Sequence, residues 1–308
     1  MRVLITGSLG TLGVPLTFEL SERGHTVFGC DLAHTGQERE TYMRADVAKY
    51  RQIQRVFEEY QPEVVYHLAA EFGRHNGEDY YEDVFISNYL GTRNVLELCK
   101  RHGSKLIFAS SSEIYGDCGE EWLSEELSER LVLNQPNEYA LSKAANEAQV
   151  RMFSQKHDLE AVRLRFFNVY GPGEHYHPYR SVVALFCHRA LNGIPWTVYK
   201  GYYRTFMYVD DFIPTLANAM TKGRPGEVYN IGGEDYRSIE DLSALVLDET
   251  RADPDLVTYL DYDPDNVVSK RPENTKARAE LDHDPKVTIN EGVPLTIDWM
   301  LGRVPASL

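Results

Sequence analysis

Apolar runs bounded by turn residues alternate along this chain with stretches whose apolar positions recur at helical spacing, without tandem repeats or low-complexity segments. Val3 to Thr6 reads as a strand buried on both faces, and the helix after it begins near Gly13, with Pro15 tolerated in its first turn. Thr26 to Cys30 is a second strand. An amphipathic helix through Ile53, Val56 and Phe57 leads to a third, Val64 to Leu68. Val84 to Lys100 reads as a helix, Leu106 to Ser110 as a strand, Tyr139 to His157 as a long helix and Ala161 to Phe166 as a strand. Strands and helices in this alternation form a parallel sheet covered on both faces, a doubly wound α/β fold.

After about Asn168 the texture changes to loops rich in Gly, Pro, Tyr and His, with late helices at Asp241 to Leu247 and Asn290 to Met300. The expected division is a nucleotide-binding domain over 1–167 and a smaller C-terminal substrate-binding lobe over 168–308. No flexible linker separates them, so the chain is free to cross between lobes that fold as one unit.

Composition narrows the function classes. A chain of 308 residues, 43% hydrophobic and 26% charged, is long enough for a large core rather than disorder. Its formal charge of −15 repels nucleic acid and anionic membranes, so a phosphorylated ligand must be held by a few placed arginines and by backbone amides. Cys30, Cys99, Cys118 and Cys187 are scattered without CxxC or zinc spacing, which suits a reducing cytosol and no metal. Residues 1 to 6 open directly into an apolar strand, and no long apolar span follows, so a cytoplasmic protein without membrane anchor is expected.

Gly7-Ser8-Leu9-Gly10-Thr11-Leu12-Gly13 follows the first strand and opens a helix, the context in which glycines let backbone amides approach a pyrophosphate. Asp31 ends the second strand, near the spacing of about 20 residues expected for a carboxylate on the adenosine ribose. That carboxylate disfavours the extra phosphate of NADP, and no Arg or Lys follows until Arg39, so NAD is the expected cofactor. Asp46-Val47 is placed to accept from the adenine amino group or, equally, to cap the helix starting at Ala48.

Tyr139 and Lys143 stand four residues apart, on one helical face, where an ammonium would lower the phenol's pKa and let tyrosinate take a hydroxyl proton as hydride leaves. Ser110-Ser111-Ser112 ends the preceding strand, at the edge that faces the nicotinamide crevice.

With these residues the sequence resembles the extended short-chain dehydrogenase/reductases, the NAD-dependent nucleotide-sugar epimerases, dehydratases and decarboxylases. The resemblance runs through the GxxGxxG start, His67-Leu-Ala-Ala70, Asn88-Tyr-Leu-Gly-Thr92, Ser111-Ser-Glu-Ile-Tyr-Gly116, Tyr139 with Lys143, Asn168-Val-Tyr-Gly-Pro-Gly173, Arg204-Thr-Phe-Met-Tyr-Val-Asp210 and Trp299-Met. It implies a Rossmann-like fold, Tyr139 as base, Lys143 on the nicotinamide ribose and Ser111 on the sugar O4. Gly7, Leu9, Gly10, Thr11, Leu12, Gly13, Asp31, Asp46, Val47, Leu68, Ala69, Ala70, Asn88, Ser110 and Phe166 would complete the NAD site. Asn168 and Arg204 would contact the nucleotide diphosphate, with Arg271 a third contact at an unusual spacing. Helices near 84–100 and 139–157 would form a homodimer.

Oxidation at C4 acidifies the neighbouring C–H, and the ketone can be re-reduced, dehydrated or decarboxylated. Glu113, two residues after Ser111, occupies the place where relatives acting at C5 carry a glutamate, and Ser112 before it fits a version with a hydroxyl. The favoured outcome is 4,6-dehydration of a nucleotide sugar. The 4-epimerase alternative needs no group at Glu113. The UDP-glucuronate-type decarboxylase alternative gains from Arg180 with Val198-Tyr199 and Arg204, which resemble that subgroup's substrate loop, but basic residues for a sugar carboxylate are not evident in the sequence. Glu71 and Arg74 follow the third strand within reach of substrate, and His175, Tyr176 and His177 are expected in a polar substrate loop. A non-catalytic NAD-binding scaffold would have no chemical need to keep Ser111, Tyr139 and Lys143 together.

Overall fold

The computed structural model describes residues 1–34, 40–130, 134–261, 263 and 266–303. Arg39 lies outside them. Seven parallel strands form the main sheet: β1 (Arg2–Thr6), β2 (Thr26–Asp31), β3 (Tyr42–Arg44), β4 (Val64–His67), β5 (Lys105–Ser111), β6 (Ala161–Phe166) and, after three strands of the small lobe, β10 (Val228–Ile231). Their order is β10-β6-β5-β4-β1-β2-β3, so the chain runs outward from β1 in one direction and then from β4 in the other. The crevice at this reversal, beyond the C-terminal ends of β1 and β4, is where such sheets bind ligands.

The continuous apolar runs of the sequence follow from burial on both faces. Val3 and Ile5 of β1 pack into one core with Leu16 and Leu20, while Leu4 between them packs into the opposite core with Ile53 and Phe57. Val64 and Tyr66 against Val65, and Ile107 against Leu106 and Phe108, divide the same way. Each fully buried aliphatic side chain of this kind contributes roughly 1.5–3 kcal/mol.

The small lobe holds β7 (Val169–Tyr170), β8 (Trp196–Tyr199), β9 (Tyr203–Tyr208), β11 (Asp235–Ser238), β12 (Val257–Leu260) and β13 (Ser269–Lys270). β9 pairs with β11, β13 and β7, and β8 with β12. A third core centred on Phe186, Trp196, Val246 and Val293 holds this lobe together. The chain crosses back from 168 onward: the helix Val209–Lys222 packs Phe212 and Leu216 on the main sheet, and β10 becomes its edge strand.

The expected helix from Val84 to Lys100 is three pieces, Tyr81–Val84, a π-helical turn Phe85–Leu90 and Gly91–His102. The extra residue per turn accompanies the inward-facing Asn88, whose side chain accepts from Glu71 N–H at 2.9 Å and donates to Glu71 C=O and Ser142 Oγ at 2.8 and 2.9 Å. Such turns occur often at functional sites. No helix among the described residues is long and apolar enough to cross a membrane.

Candidate active site

The glycine-rich turn is shaped by close backbone approach. Gly7 has φ 72°, and a Cβ there would lie 2.8 Å from the Ala69 nitrogen; one on Gly13 would lie 2.4 Å from the Gly7 carbonyl oxygen. The helix Gly13–Glu22 then starts with no acidic residue in its first turn and no side-chain cap, so its positive end faces the crevice uncompensated. Asp31 accepts from Leu9 N–H at 3.0 Å and from Ala33 N–H at 3.3 Å, which holds it beside the turn. Asp46 accepts from Ala48 N–H at 2.8 Å in the turn ahead of the helix Tyr50–Tyr60, whose N-cap is Lys49 rather than Asp46, and it lines the crevice.

A cavity of about 510 Å³ runs from this turn to the end of β5. Gly7, Gly10, Thr11, Leu12, Gly13, Asp31, Asp46, Val47, Leu68, Ala69, Ala70, Ser110, Lys143 and Phe166 line it, and at its far end stand Ser111, Ser112, Glu113 and Tyr139. A groove with a bare helix N-terminus at one end and a serine–tyrosine pair at the other fits a dinucleotide whose reactive ring meets a sugar.

The helix Glu138–His157 presents Tyr139 and Lys143, its start fixed by the Asn137 side chain accepting from Ala140 N–H at 2.9 Å. Lys143 Nζ donates to the Ala109 carbonyl at 2.8 Å and lies 5.8 Å from the Tyr139 ring centroid. Burial lowers the Lys143 ammonium to about 8, opposed by Glu147 one turn along. The expectation that Lys143 would lower the Tyr139 phenol is not the net effect in this chain: burial raises it, and of its neighbours a Ser111 hydrogen bond lowers it while Glu113 raises it. His67, beneath the crevice, bonds Thr6 and Thr92; burial and then Lys143 depress it to about 3, so it stays neutral.

Glu113 is the second residue of the turn Ser112–Tyr115, its N–H donating to Ser111 Oγ at 3.2 Å. Its carboxylate pairs with Lys270 of β13, a lysine only 3% exposed. Burial by itself would raise this carboxyl, but Lys270, then Arg204 and Arg74, outweigh it and hold Glu113 below the usual range, hence ionised at neutral pH.

The chain matches the family described as NAD dependent epimerase/dehydratase over residues 3–232. It belongs to that family. A UDP-glucose 4-epimerase of Thermus thermophilus solved in complex with NAD superposes with TM-score 0.87 at 31% identity, covering 99% of this chain and 100% of that one. A UDP-N-acetyl-alpha-D-glucosaminuronate decarboxylase of Bacillus cytotoxicus is 29% identical over 97% of both chains. A probable dTDP-glucose 4,6-dehydratase of Sinorhizobium fredii is 28% identical over 98% of this chain and 93% of that protein. This member of the NAD-dependent epimerase/dehydratase family is therefore an enzyme on a Rossmann fold, and these relatives are named for three different reactions, epimerisation, decarboxylation and dehydration.

Among the residues expected to bind substrate, Glu71, Ser111, Ser112, Asn168 and Arg180 line the cavity. Arg180 sits on the cofactor side, its guanidinium 4.7 Å over the Phe72 ring and 3.5 Å from Thr11 Oγ1. Six expected cofactor- or substrate-site positions do not line it. Val198 is fully buried in the small-lobe core, and Tyr199 beside it packs on Tyr202, because β8 turns its inward residues to Trp196 and its cluster. Arg204 bonds the Tyr203 and Val268 carbonyls and Asn266 behind Glu113. Arg271 lies between the rings of Trp122 and Tyr236 at 3.7 and 4.9 Å and pairs with Glu121. Asn88 stands behind the Glu71 backbone. The cofactor-site residue Leu9 opens on a smaller neighbouring cavity of about 190 Å³ with His175 and Trp299. Tyr176 stacks on His188 at 3.7 Å instead of facing the sugar site.

Sequence reasoning missed Lys270, Glu174 and Tyr179. Glu174 lines the cavity while accepting from Ser181 N–H and Oγ at 2.9 and 2.6 Å, and burial raises its carboxyl. Tyr179 reaches Asp79 at 2.7 Å and ties the 171–181 loop to the helix Arg74–Asp79 across the cavity. Among the described residues no cluster of ligands suited to a metal ion occurs.

Proposed function

We propose that this enzyme oxidises a nucleotide-linked sugar at C4 and then acts at C5 through Glu113, as a 4,6-dehydratase. The observation that carries the reading is an ionised carboxylate, Glu113, lining the same end of the cavity as Ser111 and Tyr139. Bound NAD would supply the acceptor for the C4 hydride and, once water has left across C5 and C6, the donor that returns it to C6, so the net change is loss of water alone. Tyr139, beside Ser111, takes the C4 hydroxyl proton, with the Lys143 ammonium 5.8 Å from its ring centroid as the neighbouring positive charge that works against the burial raising the phenol. The C4 carbonyl acidifies C5–H; in this reading the Glu113 carboxylate removes that proton and Ser112 beside it assists the departing C6 hydroxyl. The ionised state of Glu113 and its position on the cavity wall support this. A simple C4 epimerisation would leave Glu113 without work.

A second reading has one specific observation behind it. Lys270, Arg204 and Arg74 gather around Glu113, a cluster of positive charge that the sequence did not show assembled, although none of the three lines the cavity itself. They favour decarboxylation of a nucleotide-linked uronic acid. Incubation with UDP-, dTDP-, GDP- and CDP-linked hexoses and hexuronic acids, read by mass, separates the outcomes. Loss of water that disappears in Glu113→Gln supports dehydration; loss of carbon dioxide supports the second reading; product of unchanged mass overturns both in favour of epimerisation.

We further infer a homodimer with its contact on the helices near 84–100 and 139–157. Tyr81, Phe85, Leu90 and Leu141 are exposed apolar side chains on this part of the surface. Sedimentation of the wild type as a dimer and of Leu141→Glu as a monomer is the expected result. The four cysteines are free thiols.

A further inference from the structure

β13 consists of Ser269 and Lys270 alone, and it pairs in parallel with β9 so that Lys270 stands opposite Arg204. Burying an ammonium costs several kcal/mol unless a countercharge meets it. Glu113 is that countercharge, and among the described residues it is the one hydrogen-bond partner of Lys270 Nζ. The other two cations near Glu113 are engaged elsewhere. Arg74 pairs with Asp263 at 2.9 Å and Glu78 at 3.4 Å, and Arg204 gives its guanidinium to two carbonyls and Asn266.

We propose that Lys270 is a positioning residue for Glu113: a two-residue strand of the small lobe supplies the counter-ion that keeps this carboxylate charged and turned into the cavity beside Ser111 and Tyr139. Its catalytic meaning rests on the reading of Glu113 as the C5 base. The base hangs from the end of β5 and its counter-ion from the opposite lobe, so the pair is complete only when the lobes are docked. The charged and titratable groups around it are Arg204 from β9, Arg74 from the helix Arg74–Asp79 and Tyr139 from the helix Glu138–His157. Burial lowers Lys270 itself to about 8, with Glu113 opposing and the two arginines adding to the fall. A carboxylate facing three cations and an ammonium facing two guanidiniums are thus both shifted down, each for its own reason.

The test titrates Glu113 directly in the full chain loaded with NAD. With glutamate carboxyl carbons labelled, the Glu113 resonance is the one absent from Glu113→Gln. In Lys270→Met its midpoint should rise by at least one pH unit, a tenfold change in proton affinity, and Lys270→Arg should bring it back. Lys270→Gln, which keeps a polar group without charge, repeats the measurement should the methionine variant misfold. An unmoved midpoint in the uncharged variants overturns the proposal. Turnover of Glu113→Gln separates this from the functional reading: unchanged turnover removes Glu113 from the reaction, while a shifted midpoint would still establish Lys270 as its counter-ion.

Discussion

Arg165 grips Glu147 with two parallel hydrogen bonds, Nε to Oε1 at 2.9 Å and Nη2 to Oε2 at 2.8 Å, with the arginine only 1% exposed. Ser110 Oγ adds a third bond to the same carboxylate, and Arg165 Nη1 reaches the Tyr115 hydroxyl at 2.6 Å. Glu147 lies one helical turn beyond Lys143, so the pair locks the rotation of the helix Glu138–His157 against β5 and β6.

Breaking this pair from one side strands a charge in the interior. Arg165→Met should cost about 3–5 kcal/mol of unfolding free energy. Urea denaturation of the two proteins measures it; a loss below about 1 kcal/mol would mean that water replaces the guanidinium.

Tyr139→Phe keeps the ring and removes the proton acceptor. Turnover on whichever nucleotide sugar the wild type consumes should fall by at least about 10²-fold. NAD affinity, measured by calorimetry, should stay within a few-fold, and retained turnover would take Tyr139 out of the reaction.

Gly13→Ala puts a methyl group where only 2.4 Å separates it from the Gly7 carbonyl oxygen, so the turn itself must open. NAD affinity should drop at least tenfold, about 1.4 kcal/mol. An alanine variant that binds NAD like the wild type would show that the cradle does not grip the cofactor here.

Lys143 carries a pH signature. Its ammonium falls from 10.5 to about 8 on folding, chiefly through burial. Between those values the unfolded chain holds a proton that the folded chain lacks, so this group's contribution to stability rises with pH across that window. The penalty, on the order of 3 kcal/mol, is fully present below about pH 8. In NAD-free protein Lys143→Met should flatten the slope of unfolding free energy between pH 8 and 10.5, and a slope equal to the wild type's would contradict the burial argument. Lys270, also lowered to about 8, accounts for part of the slope that remains.

Particular residues show where the sequence was readable. The runs Val3–Thr6, Val64–His67 and Lys105–Ser111 emerge as strands within a residue of expectation, because burial on both faces leaves no polar position to blur the signal. The helical break at Phe85–Leu90 was not readable: it depends on Asn88 turning inward to the Glu71 backbone, a contact 17 residues away in sequence. Lys270 shows the same limit at one-residue resolution. The family resemblance points to Arg271, but neighbours along an extended chain point to opposite faces, and Lys270 turns to Glu113 while Arg271 goes to Trp122.

The sequence by itself determined the doubly wound sheet, the glycine cradle with Asp31, and the Ser111, Tyr139 and Lys143 group, because each depends on local spacing and on strand ends that a parallel sheet must gather at one edge. Only the tertiary structure decided which cations meet Glu113. Lys270 and Arg204 reach it from strands far along the chain, and Arg74 from a short helix, and no periodicity records which side chain a strand pairing turns toward a carboxylate.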